Sequence, residues 1–264
     1  MENTENINVP IMSEVFTKGH KPEYLFWVGC AGAFDNRYMK VAKAFATILD
    51  KLKTDFAVLG TEETCNGDPA RRAGNEMLFQ MQALSLIELF DSYEIKKIIC
   101  ICPHCYNIFK NEYPDLGGNY EVVHYTEFLS DELFKGNLNL DKSKLKGKTV
   151  TFHDPCYLGR ANDIYDAPRK LINELGLKNK EMKRTKSFAL CCGAGGSQMF
   201  KDAEKGNKEV FIERTEDALE TNAGIIASSC PFCMTMLTDG LKYKNKEEEI
   251  KNLDLAELIL NAMI

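Results

Sequence analysis

Ten cysteines fall in this 264-residue chain, and most of them fall in short clusters. The densest is "ALCCGAGGSQMF" (Ala189–Phe200), where Cys191 and Cys192 stand side by side ahead of Gly193, Gly195 and Gly196. Adjacent thiols do not readily bridge each other, because the short trans peptide between them conflicts with disulfide geometry. Two further pairs, Cys102-Pro-His-Cys105 and Cys230-Pro-Phe-Cys233, each hold two sulfurs close enough to bind one metal centre. Thioredoxin-like redox motifs share that spacing. Here, however, each pair is preceded by a distant single cysteine (Cys30 or Cys156) and by a further cysteine (Cys65) or cysteine pair (Cys191 and Cys192). Four converging thiolates suit tetrahedral zinc or an ordinary iron–sulfur cluster. The second half offers five, one more than a closed structural zinc site takes, whereas a multi-iron cluster can use the fifth. The glycines of "CCGAGG" let the backbone approach such a centre, and their amides can hydrogen-bond its sulfides.

The cysteines also reveal a duplication. Cys30 to Cys156 and Cys65 to Cys191 are each offset by 126 residues, and Cys102 to Cys230 and Cys105 to Cys233 by 128. The flanks repeat too: "YLFWVGC" parallels "TVTFHDPC", and "IKKIICICPHC" parallels "NAGIIASSCPFC". Chance clustering does not reproduce four positions at nearly constant offset, so the chain reads as two copies of one unit.

The segments between cysteines must position them. "RYMKVAKAFATILDKL" has helical spacing of apolar residues, and Asp68 and Pro69 in "GDPARRAGNEMLFQMQALSLIELF" read as the N-cap and first position of one helix of about five turns. "APRKLINELGL" and "KEVFIERTEDALE" supply the equivalents in the second half. Strand and helix alternate in each half, which predicts two tandem, pseudo-symmetric α/β domains, each built on a small parallel sheet. Sites in such sheets form at the carboxyl ends of strands, where Cys30, Cys102, Cys156 and Cys230 are expected. The expected divisions are a tail over 1–22, a first domain over 23–134, a Lys- and Asn-containing linker over 135–148 and a second domain over 149–264.

Composition narrows the class. A net charge of −6 argues against a nucleic-acid surface, which would carry a basic patch. No apolar run approaches the roughly 18 residues that span a bilayer, and "MENTENINVPIMSEVF" lacks the basic start and apolar stretch of a secretory signal. A cytoplasmic protein with reduced thiols is expected, and clustered thiols there point to metal or redox chemistry.

In the second half, Cys156, thirty-four intervening residues, Cys191-Cys192, thirty-seven more and then Cys230-X-X-Cys233 resemble the cysteine-rich CCG domain. That domain occurs twice in one subunit of the heterodisulfide reductases and in related iron–sulfur oxidoreductases. "HDPCYLGRANDIYDAPR", "CCGAGGSQMF" and "CPHC" are similar to its signatures, and the resemblance runs from about Tyr24 to Ile264. It implies that Cys156, Cys191, Cys192, Cys230 and Cys233 bind a noncubane four-iron cluster. The first half departs from the pattern: in "ETCNGDPARR", Thr64 is read in the place of the first cysteine of the pair. Cys30, Cys65, Cys102 and Cys105 remain as a four-thiolate metal site for a cubane iron–sulfur cluster or zinc. By the same resemblance the chain is a redox subunit that passes electrons to a disulfide or another acceptor. Without a ferredoxin-type cysteine run or flavin motif, it is expected to need a ferredoxin-like iron–sulfur subunit or a flavoprotein as partner. A zinc-stabilised scaffold that docks redox partners is the alternative.

Other residues near the cysteines have plainer readings beside sharper ones. Cys100 aligns with Ser228 and reads as a small core residue. His104 lies between two cysteines, but its counterpart is Phe232, so packing is favoured over proton transfer. His153 and Asp154 are expected either to orient the loop before Cys156 or to cap its turn. Arg71, Arg72 and Arg160 could offset an anionic centre or lie on a solvated face. "GAGGS" is no dinucleotide fingerprint.

Overall fold

The computed structural model describes residues 7–202 and 205–264, so the first six residues of the expected tail lie outside the described residues. The chain divides into two compact units, residues 1–128 and 129–264. In the first, α1 (Met12–Thr17) precedes β1 (Tyr24–Trp27), α2 (Gly29–Phe34), α3 (Tyr38–Lys51) and β2 (Phe56–Ala57). α4 (Asp68–Arg72), α5 (Glu76–Ser92), β3 (Lys97–Cys100), α6 (Pro103–Asn111), β4 (Glu121–His124) and α7 (Tyr125–Phe134) follow, α7 running on into the second unit. The second unit continues with β5 (Thr149–Phe152), α8 (Asp166–Glu174), β6 (Lys178–Asn179), α9 (Val210–Glu220), β7 (Ile225–Ser228), α10 (Pro231–Tyr243), β8 (Lys251–Asp254) and α11 (Leu255–Ala262).

Each unit contains a four-stranded sheet, ordered β2-β1-β3-β4 in the first and β6-β5-β7-β8 in the second. All pairings are parallel. The α/β fold expected from the repeat is therefore present twice, with one strand order. Register carries the duplication to single residues. Leu25 pairs with Ile98 and Phe26 with Ile99; at the 126- and 128-residue offsets, Thr151 pairs with Ile226 and Phe152 with Ala227. The ladder then brings Trp27 opposite Cys100, and His153 N donates to Ala227 O at 2.9 Å, so Trp27 and His153 occupy one position of the two sheets. The parallel strands are apolar runs, as sheets covered on both faces require. β7 is buried throughout, and β1 is buried after its first residue. Phe26 packs edge-on against Phe45 at 5.2 Å, and Trp27 against Phe109 at 4.8 Å.

Ile11, at the start of the described chain, bridges Val58 in parallel, and Met12 is buried. Within 135–148, Leu138 and Leu145 are buried and Asp141 N donates to Ala262 O at 2.7 Å. The single helix expected after Asp68 is broken. Gly67 rather than Asp68 is the N-cap of α4, and Gly74 takes the left-handed region at φ +84°. Asn75 then caps α5 by accepting from Leu78 N at 3.1 Å. Gly-Asn supplies both a stop and a restart, and these outweigh the continuous apolar spacing. No helix among the described residues is long and apolar enough to cross a membrane.

In the second unit α9 approaches α10 closely at Gly240. A Cβ there would overlap Thr215 Oγ1 and reach its Cβ at 2.8 Å. Gly240→Ala is expected to cost about 1–3 kcal/mol by overpacking, read as a lower urea midpoint. Adding Thr215→Ala should recover part of the loss, and additive losses would show that the two helices do not meet there.

Candidate metal centres

The order β1-β3 puts the carboxyl ends of two central strands side by side, and the cysteines follow those ends. In the second unit, β7 leads directly into Cys230, which is the extended N-cap of α10 at φ −153° and ψ 130°. Pro231 then occupies the first helical position, where its missing N–H costs nothing. Cys233 falls in the same first turn, so both sulfurs lie at the positive end of the helix dipole, which favours thiolate. α6 repeats the device with Cys102 as N-cap and Pro103 inside it.

All five cysteines of the second unit converge. Cys192, Cys230 and Cys233 form a buried cluster with Ala194, and Cys191, Met199, Phe232 and Met236 pack against it. Thiol–thiol hydrogen bonds join Cys156 to Cys191, Cys191 to Cys192, Cys192 to Cys233 and Cys233 to Cys230. Cys191 accepts from Cys156 and Cys192, and with the Gly193 amide at 3.3 Å this holds its thiol far below the ordinary range. Its neighbours are pushed the other way. Cys192 rises to about 12, first by its hydrogen bond to Cys191. Cys156 is raised by the same partner, and Cys233 by donating to Cys192 and Cys230 and by burial. One thiolate is stabilised and the others are held protonated, because four further negative charges in that volume would repel one another.

Positive φ at Gly193 (+93°) lets its amide turn back onto Cys191. Asp154, 4% exposed, braces the approach to the Cys191 loop. It accepts from Arg169 at 2.8 and 3.0 Å, from Thr185 Oγ1 at 3.1 Å and from Lys186 N at 2.8 Å. Burial raises its carboxyl, but the Arg169 hydrogen bonds and charge outweigh burial and hold it below the usual range. Of the two roles expected for Asp154, orienting the loop is the one these bonds perform. Arg160 Nη1 donates to Ala189 O, tying it to the same loop. His153 Nδ1 accepts from Arg214 Nε at 2.9 Å, and burial and the Arg214 charge push the imidazole down to about 3, so it is neutral. A ring nitrogen of His153 lies with Cys192 and Cys233 Sγ inside a 4.8 Å group.

In the first unit Cys30, Cys65, Cys102 and Cys105 also come together. Cys30 is exposed as a residue, yet its thiol is pushed up to about 12, first by burial and then by Cys105 and Cys65. Cys105 is raised first by its hydrogen bond to Cys102. Gly67 N donates to Cys65 Sγ at 3.5 Å with Gly67 at φ +88°, the same turn that Gly193 makes with Cys191. Cys65-Asn66-Gly67 therefore matches Cys191-Cys192-Gly193. The missing cysteine is the second of the pair and Asn66 stands in its place, which corrects the assignment of Thr64 to the gap. Asn66 is 4% exposed, its Oδ1 accepts from Asp68 N, and its Nδ2 has no partner among the described residues.

Cys100 is fully buried beside Cys105, in keeping with a core role. His104 is buried against Asp68, Nδ1 to Oδ2 at 3.0 Å. The arginines are absorbed by carboxylates: Arg71 meets Glu112 at 2.8 Å, and Arg72 meets both Asp68 at 3.1 Å and Glu112. Glu63 is a residue that sequence reasoning misses. It accepts from Gly29 N at 2.6 Å and Val28 N at 3.2 Å, joining the loop before Cys30 to the loop before Cys65. No motif marks it. Trp27, Asn66 and Arg214 are missed too, although aligning the repeats residue by residue raises the first two.

Comparison with known proteins follows the same duplication. The family described as CCG, a cysteine-rich domain, matches residues 24–110 and again 150–238. The probable iron-sulfur-binding oxidoreductase FadF of Bacillus subtilis (strain 168) is 44% identical over 97% of this chain and 36% of its own length. The EtfAB:quinone oxidoreductase of Syntrophomonas wolfei is 44% identical over 93% of the chain and 35% of its own length. One subunit of the dihydromethanophenazine:CoB--CoM heterodisulfide reductase of Methanosarcina barkeri is 34% identical over 92% of the chain and 59% of its own length. The chain thus spans between about a third and three-fifths of these curated relatives. Among solved structures, glutamate racemase from Aquifex pyrophilus aligns over 90% of the chain and 80% of its own, at 14% identity and a TM-score of 0.39, too loosely to bear on function.

Burial raises the Glu63 carboxyl from its ordinary 4.5 to about 7. The folded state then binds a proton more tightly than the unfolded state, so stability falls as pH rises from about 4.5 to about 7 and levels beyond. Glu63→Gln keeps an acceptor for Gly29 N and removes that titration. Denaturation midpoints between pH 5 and 7.5 should vary less with pH in the variant; an unchanged slope would contradict the assignment.

Proposed function

Because the chain belongs to the CCG cysteine-rich domain family, with two copies of the domain, we propose that it is the iron–sulfur redox portion of a larger oxidoreductase. The observation that carries this reading is the convergence of Cys156, Cys191, Cys192, Cys230 and Cys233 on one buried point. Left as thiols they oppose each other's ionisation, whereas a polyvalent cationic core would let all five ionise. The donor set suits such a core: soft sulfur throughout, amide N–H groups turned onto it, and a neutral imidazole close by. A four-iron cluster of noncubane type uses five cysteines, and when bound it supplies one-electron transfer. The chain's part is to hold that group at the end of a rigid sheet, to keep water from Cys192, Cys230 and Cys233, which are 3%, 1% and 2% exposed, and to fix the neighbouring N–H donors.

The first unit supports a different centre. Cys30, Cys65, Cys102 and Cys105 offer four thiolates, with Asn66 where the fifth would be. We favour a cubane cluster there over zinc. A scaffold role resting on zinc alone is disfavoured by the fifth thiol of the second unit. Electrons enter from a ferredoxin-like iron–sulfur domain or a flavoprotein, supplied by a partner or by another part of the same polypeptide, and leave to a disulfide or another acceptor. The relatives named as a quinone oxidoreductase and as part of a heterodisulfide reductase support this reading. Ten free cysteines favour a reducing, cytoplasmic setting.

Iron, acid-labile sulfide and zinc per chain, measured on anaerobically prepared protein with low-temperature electron paramagnetic resonance, test the proposal. A brown protein with several irons per chain is expected; a colourless protein holding only zinc would overturn it. Cys192→Ser should remove or alter the second signal alone. Asn66→Cys supplies the missing thiol and should give the first centre spectral features of the second, whereas Thr64→Ala should change neither. Spectra unchanged in both Cys192→Ser and Asn66→Cys would reduce the second site to an ordinary four-cysteine centre.

A further inference from the structure

Each unit ends its central strand with a buried aromatic ring that carries one N–H. Trp27 and His153 are both 1% exposed and occupy the same sheet position, three residues ahead of Cys30 and Cys156. Trp27 Nε1 and His153 Nε2 have no nitrogen or oxygen partner among the described residues. A buried N–H without an acceptor costs about 1–3 kcal/mol, so the same cost at the same place in both units calls for an acceptor that protein nitrogen and oxygen do not provide. Sulfur is what lies there. A Cβ built on Gly29 would sit 3.4 Å from Cys105 Sγ and 3.6 Å from Trp27 Nε1, and the Trp27 N–H favours the ionised form of Cys105. A ring nitrogen of His153 is within 4.8 Å of both Cys192 and Cys233 Sγ. Cys105 and Cys233 are themselves equivalent, each the second cysteine of its Cys-Pro-X-Cys pair.

A histidine this close to cysteines could instead ligate the metal. Arg214 decides between the two roles. Its guanidinium is fully buried and is a donor only; Nε points at His153 Nδ1, while Nη1 bonds Arg184 O at 2.7 Å and Asp217 at 3.2 Å. Nδ1 must therefore offer its lone pair to Arg214, which puts the ring hydrogen on Nε2. A nitrogen carrying hydrogen donates and cannot ligate. In the first unit tryptophan, which can only donate, needs no such lock.

We infer that His153, held in the Nε2–H tautomer by Arg214 as a positioning residue, donates a hydrogen bond to sulfur of the second centre, and that Trp27 does the same in the first. Hydrogen bonds to sulfur stabilise the more negative, reduced state and raise the reduction potential. The inference rests on the iron–sulfur reading above.

The test uses the anaerobic protein with its metal bound, and takes iron and sulfide content and the midpoint potential of the second centre by paramagnetic-resonance-monitored titration. His153→Phe should keep iron and sulfide but lower the equilibrium constant for reduction about tenfold, which is about 59 mV for one electron. His153→Gln, which retains a side-chain N–H, should recover most of that shift, and Trp27→Phe should leave the second centre's potential unchanged. In the parent with ¹⁵N-labelled histidine, pulsed measurements should find the weak coupling of a nitrogen one hydrogen bond from the centre. This arm does not depend on any variant folding. An unchanged potential in His153→Phe, loss of iron from it, strong coupling of a directly bound nitrogen, or no coupling at all would each overturn the donor role. A parent without iron or sulfide would overturn the proposed function itself, and the two failures are told apart by that content.

Discussion

Mutual repulsion among the five sulfurs of the second unit is the constraint on which the rest of the site depends. Cys191 can be a thiolate because Cys156, Cys192 and the Gly193 amide all donate to it, and for that reason its neighbours stay protonated. Only a strongly cationic group at their common point lets every thiol ionise, which ties the pocket's chemistry to its occupant. The sheet, the proline-headed helices and the left-handed glycines then serve as means of holding sulfur where sulfur alone is unstable.

The two units show which of these means can vary. Both keep the Cys-Pro-X-Cys helix start and the glycine whose amide turns back onto a cysteine. They differ at Asn66 against Cys192, and at Trp27 against His153. Around those differences the charged neighbours differ as well. The first unit spends its arginines on Glu112 and Asp68, whereas the second buries Arg214 whole behind His153. One scaffold thus carries two ligand sets with two electrostatic surroundings.

Much of this is legible in the sequence. Constant cysteine offsets announce the duplication, and β-rich runs ending in cysteine announce strands with a site at their carboxyl ends. Where sequence and structure part, the cause is local geometry. Thr64 reads as the gap when residues are compared by type, whereas the positive φ of Gly67 and its bond to Cys65 put the gap at Asn66. The break at Gly74 is hidden by apolar residues that keep helical spacing across it. Glu63 and Arg214 act through contacts distant in sequence, 34 residues to Gly29 and 61 to His153, which no short motif encodes.

The central claim, that five cysteines of one CCG domain hold one multi-iron centre, is tested most directly by anomalous scattering from crystals of the anaerobic protein at the iron and zinc edges. An iron signal of several atoms, bounded by Cys156, Cys191, Cys192, Cys230 and Cys233, is the predicted result. A single zinc atom held by four of these cysteines, with the fifth sulfur free, would contradict it.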